Sequence, residues 1–133
     1  MKQNEQKTLL KSQQGELDAV LMYQALANVV KDQNDAATFR RLALEEGQHA
    51  AVFRSLTGEP LKPKKTLAIL LPILYKLLGK KRLYPIIAKF EYSAVNSYEP
   101  VAADHPEVLT VKDDEKRHGD TVMRLLEAQT EII

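Results

Sequence analysis

The sequence predicts an all-α fold, a four-helix bundle in which two helical pairs are joined by a long crossover. Three observations carry that expectation. Apolar residues recur at helical spacing along most of the chain, and the alternation of a half-buried strand is absent. Glycines, prolines and short polar residues fall mostly between the periodic stretches. Above all, one pattern occurs twice. Glu16-x-x-Ala19-Val20-x-x-Tyr23 is followed by Glu45-Glu46-Gly-Gln-His49, and Glu91-x-x-Ala94-Val95-x-x-Tyr98 by Asp114-Glu115-Lys-Arg-His118. Each His is followed seven residues later by leucine, at Leu56 and Leu125.

The first helix is expected over about residues 3–31. Asp32, Asn34 and Asp35 mark a short turn, and either Asp32 or Asn34 is placed to cap the second helix. That helix is expected to end near Leu56, at Thr57-Gly58, with Pro60 and Pro63 beyond it. The crossover occupies about 58–81 and contains TLAILLPILYKLLG, flanked by Lys62, Lys64, Lys65, Lys80 and Lys81. This run is too short to span a membrane and carries Pro72. It is expected to cross the bundle or to lie in a dimer interface; membrane contact through 62–82 is the weaker reading. The third helix is expected over about 82–103, and Asp104-His-Pro-Glu107 reads as a capped start for the fourth.

At 133 residues the chain is expected to form a single domain, 1–133, with a core of its own. Lysines and arginines number 19 against 18 acids, so no global basic field points to nucleic acid. The chain has no cysteine, which removes disulfides, zinc ribbons and thiol catalysis together. The polar start, MKQNEQKTLL, does not read as a signal peptide, and a cytoplasmic location is expected.

Each predicted helix presents an apolar stripe with an acid in the middle of it. The first carries Leu9, Glu16, Val20, Tyr23, Ala27 and Val30; the second Phe39, Leu42, Glu46, His49, Phe53 and Leu56. The third carries Tyr84, Ile87, Glu91, Ala94, Tyr98 and Val101; the fourth Val108, Val111, Glu115, His118, Val122 and Leu125. A carboxylate buried alone costs many kcal/mol, so it must be protonated, paired or bound to a cation. Residues three apart on a helix share a face, so Glu46 with His49, and Glu115 with His118, can offer an oxygen and a nitrogen to one ion. Two helical pairs that each supply Glu plus Glu-x-x-His form the ligand set of a dinuclear site in a bundle. Mixed carboxylate and imidazole ligands suit iron and manganese, and zinc can take the same groups. Glu45 and Asp114, each next to a ligand glutamate, are expected to orient a histidine by accepting its other ring N–H, in a bond running between helices. Tyr23 and Tyr98 read first as core residues with the hydroxyl tied to a carboxylate, and second as residues with a redox part or a place just behind the metal ligands.

A single Glu-x-x-His arises often by chance on salt-bridged helices. Two copies in register with apolar seams, each preceded by its own Glu helix, do not.

These residues resemble the ferritin-like superfamily, and within it the rubrerythrin-like di-iron domains, over about Glu16 to Leu126. The resemblance implies that Glu16, Glu46, His49, Glu91, Glu115 and His118 bind two iron ions, with Glu46 and Glu115 bridging. Rubrerythrins proper carry a further glutamate one turn from the third-helix ligand, where this chain has Ala88 and Ala94. Without cysteine, this chain has no ligands for a rubredoxin-type iron. Gly119 stands where many relatives carry an acid, and Gly47 weakens the second helix beside its ligands.

The expected function is that of a di-iron oxidoreductase reacting with oxygen or peroxide, or oxidising ferrous iron, with an electron donor outside the chain. Val20, Phe53, Val95 and Val122 leave little room for a large substrate. The alternative is a metal-binding or sensing module without turnover; a purely structural bundle of protonated acids is the third. Because the crossover is apolar on more faces than one small bundle can bury, a homodimer is expected.

Overall fold

A computed structural model describes residues 3–131, with side chains to residue 127. Five helices follow one another: α1 (Gln3–Val29), α2 (Gln33–Thr57), α3 (Thr66–Leu78), α4 (Lys80–Ala102) and α5 (Pro106–Glu131). No strand occurs among the described residues, so the all-α expectation holds. The chain divides into two compact units, Met1–Ile73 and Leu74–Ile133, with the division inside α3.

In the first unit α1 packs on α2. Asp32, rather than Asn34, is the cap: its Oδ1 accepts from the N–H groups of Asn34 at 2.8 Å and Asp35 at 3.0 Å. Two orphan donors of the first turn are thereby satisfied. Gly58 ends α2 with φ 72°, a left-handed conformation that side chains resist, and its N–H donates to the Arg54 carbonyl at 2.8 Å. Of the expected seam Leu9, Tyr23, Phe39, Leu42 and Phe53 are fully buried and Val20 and Leu56 only half-buried, while Leu26, outside that seam, is fully buried as well. The Tyr23 and Phe39 rings stack 5.7 Å apart at 14°. Each such side chain contributes about 1.5–3 kcal/mol on burial. Packing along this seam, more than helix propensity, therefore holds the pair together.

From Thr57 onward the chain is laced to α1 by side chains. Gln13 Nε2 donates to the Glu59 carbonyl at 2.7 Å and Gln14 Nε2 to the Lys62 carbonyl at 2.8 Å. Asp18 Oδ1 accepts from the Lys64 N–H at 2.7 Å, and Gln6 Nε2 donates to the Thr57 carbonyl at 3.2 Å. Gln13 is almost wholly buried for this purpose. Backbone groups of an irregular segment need partners, and these four side chains supply them.

In the second unit α4 packs on α5 over a core that includes Leu83, Tyr84, Ile87, Val108, Val111 and Val122. Gly79, φ 76°, separates α3 from α4; its N–H closes α3 on Tyr75 and its carbonyl accepts from Leu83. The helix expected from residue 82 thus begins at Lys80, because glycine alone makes the break. Pro106 opens α5, so His105 occupies the position before the helix instead of Asp104. Its Nδ1 stands 3.8 Å from Glu107 Oε1. Pro72, Pro85 and Pro100 lie inside helices, not at breaks.

Candidate metal centre

The six acids and imidazoles singled out by the repeat are all buried, each with less than about a twentieth of its surface exposed. Their helices explain why. Each sits in an apolar seam, so packing the seam carries the polar side chain inward with it.

Within the first unit, α1 supplies Glu16 and α2 supplies Glu46 and His49. His49 Nδ1 lies 3.0 Å from Glu46 Oε1 and 3.5 Å from Glu16 Oε2. One ligand atom from each of the three falls within 4.8 Å of the others. Within the second unit, α4 supplies Glu91 and α5 supplies Glu115 and His118. His118 Nδ1 lies 3.4 Å from Glu115 Oε1 and 3.8 Å from Glu91 Oε2, and again the three fall within 4.8 Å.

These spacings fit a cation. Ligand atoms about 2.1 Å from a metal stand about 3.0 Å apart when adjacent on an octahedron and about 4.2 Å apart when opposite. Charge agrees: each triad brings two carboxylates and one imidazole, which a single divalent ion neutralises. Without an ion, two carboxylates this close and this deep resist joint ionisation. Glu91 displays the result. Burial, together with the nearby Glu115 carboxylate and against the attraction of the neighbouring His118 ring, pushes its carboxyl up to about 7.

The surrounding residues divide. Tyr23 and Tyr98 are buried in the seams, as expected. Glu45 lies 3.7 Å from Arg41 on its own helix, and Asp114 Oδ1 accepts from Arg117 at 3.2 Å. Ala88 is buried and Ala94 half-buried, so no additional carboxylate enters from those positions.

One neighbour was not legible in the motif. Tyr92, next to Glu91, lays its ring across Gly119, next to His118. A Cβ at Gly119 would stand 2.7 Å from Tyr92 Cζ and 2.9 Å from Cδ1, with Cε1 closer still. The Tyr92 hydroxyl donates to Asp120 Oδ1 at 2.6 Å, and Lys116 Nζ donates to Asp120 Oδ2 at 3.0 Å. Desolvation and the Asp120 carboxylate push the Tyr92 hydroxyl up to about 12. Gly119 therefore leaves room for the Tyr92 ring. The sequence signal was the coincidence of a glycine beside one candidate ligand, His118, and a tyrosine beside another, Glu91.

Compared with known proteins, residues 7–126 match the family model described as Rubrerythrin. No curated protein and no solved structure matches the chain.

Proposed function

We propose, from the premise that this chain belongs to the rubrerythrin family and so to the ferritin-like all-α fold class, that it is a di-iron protein acting as an oxidoreductase. The observation that carries this reading is the buried triad of two carboxylates and an imidazole, present once in each unit at coordination spacing. Glu16, Glu46 and His49 in the first unit, and Glu91, Glu115 and His118 in the second, would hold the iron. Iron, when bound, supplies one-electron chemistry toward oxygen or peroxide, or is itself oxidised from the ferrous state.

The chain's own residues set the conditions. His49 and His118 turn Nδ1 toward their carboxylates, so that nitrogen must be unprotonated to act as a ligand. Glu91, with its carboxyl near 7, holds a proton at mildly acid pH and releases it when a cation takes its place. Glu45 and Asp114 have the chemistry to fix a histidine ring from outside the triads. Val20 and Phe53 in the first unit, and Val95 and Val122 in the second, favour small reactants over bulky organic ones.

The test uses metal-free protein loaded anaerobically with two equivalents of ferrous iron and then given peroxide. Ferric charge-transfer absorption with matching loss of peroxide is expected, and Glu46→Ala or Glu115→Ala should remove both. Iron bound in full with no oxidant consumed would replace this reading with that of a metal-binding module.

A further inference from the structure

We propose that α3 with its flanking lysines is a docking face for an anionic membrane surface, a property independent of the metal reading. The helix is apolar nearly all round: Thr66 and Lys76 are the only polar residues in TLAILLPILYKLL. A helix of that composition is normally buried on every side. Here Leu71 is 2% exposed, whereas Ile69, Leu70, Ile73 and Leu77 are 62, 43, 49 and 75% exposed. At 3.6 residues per turn those four fall within about 100° of arc, a continuous aliphatic stripe facing away from Leu71.

Charge identifies the occupant. Residues 60–90 contain eight lysines and arginines and no acid, so the remainder of the chain, with eleven bases against eighteen acids, carries −7. Lys62, Lys64, Lys65, Lys76, Lys81 and Arg82 are all exposed. A second copy docking by the same face would bring two strongly positive segments together. Nucleic acid would satisfy the lysines and leave the aliphatic stripe in water. An anionic lipid surface takes both, aliphatic side chains into the acyl boundary and ammonium groups among the headgroups. The helix has 13 residues, enough to lie along the interface and too few to cross it. Among the described residues no helix is long and apolar enough to span a membrane. The hydrogen bonds that Gln6, Gln13 and Gln14 donate to carbonyls of residues 57–62, and that Asp18 accepts from the Lys64 N–H, fix the approach to α3 and so present the stripe ready-formed.

Flotation of the full chain with phosphatidylcholine vesicles, with and without phosphatidylglycerol, tests the proposal. Binding should rise about tenfold or more with the anionic lipid and fall with added salt. Ile73→Glu with Leu77→Glu, both exposed and so compatible with folding, should lower it about tenfold while circular dichroism stays unchanged. Lys80→Glu with Lys81→Glu should remove the preference for anionic lipid. Equal binding to both vesicles, or none, overturns the proposal. So does a dimer, seen by sedimentation velocity, that the Ile73→Glu, Leu77→Glu variant dissociates, because the stripe is then covered by a second copy.

Discussion

The two units carry the same triad in different settings. In the first, His49 Nδ1 is 3.0 and 3.5 Å from its carboxylates; in the second, His118 Nδ1 is 3.4 and 3.8 Å from its own. Behind the first triad Gly47 leaves room, since a Cβ there would meet only Val20 Cγ2 at 3.9 Å. Behind the second, Gly119 is filled by the Tyr92 ring. The first unit is laced by glutamines and Asp18 to an irregular segment, the second by Tyr92, Asp120 and Lys116 on facing helices. What is common to both is the donor set; what differs is how each pair of helices is held in register. That contrast separates ligand function from local stabilisation.

The largest expected effect concerns Glu91 in the metal-free protein. Its folded-state pKa of about 7 lies above the 4.5 of a glutamate in water, so between those values the folded state holds a proton that the unfolded chain has lost. Stability therefore falls as pH rises from 4.5 to 7 and stays lower above it, by roughly 3 kcal/mol on this group's account. Glu91→Gln should recover most of that at pH above 7 and little below 4.5, in urea titrations of metal-free protein. A gain independent of pH would refute the burial argument. The same substitution should weaken metal binding, the opposite of its effect on stability.

Next in size is the metal itself. An ion at a hundredfold excess over its Kd adds about 2.7 kcal/mol to the folded state. Melting curves with and without chelator should differ for the parent protein and coincide for Glu46→Ala with Glu115→Ala. A chelator-insensitive parent would favour protonated, purely structural acids.

The two glycines give the sharpest contrast. Gly119→Ala drives a methyl into the Tyr92 ring and is expected to cost about 1–3 kcal/mol, as overpacking does. Tyr92→Ala should make Gly119→Ala tolerable, and failure of that rescue would argue against the ring as the obstacle. Gly47→Ala meets ordinary contact distances and should stabilise α2 by about 0.5–1 kcal/mol through helix propensity. Equal effects at the two glycines would erase the proposed difference between the units.

The seams and both triads were legible in the sequence because one period governs them: a residue in step with large apolar neighbours is carried inward whatever its polarity. Gly58 as the end of α2, and Asp32 as one of two cap candidates, were legible for similarly local reasons. What escaped depends on pairs distant in sequence. Gln13 and Gln14 read as ordinary helix surface, yet they bind carbonyls 46 and 48 residues away. Gly119 read as the loss of an acid, and only the fold shows that Tyr92 needs the space. Asp104 fitted a capping pattern, but Pro106 as first helical residue puts His105 before the helix.

The central claim is that the six buried donors hold two metal ions. Crystals of protein loaded with ferrous iron, measured at the iron absorption edge, test it most directly. The account predicts two anomalous peaks, one against Glu16, Glu46 and His49 and one against Glu91, Glu115 and His118. No peak at either triad, or iron bound elsewhere on the chain, would contradict it.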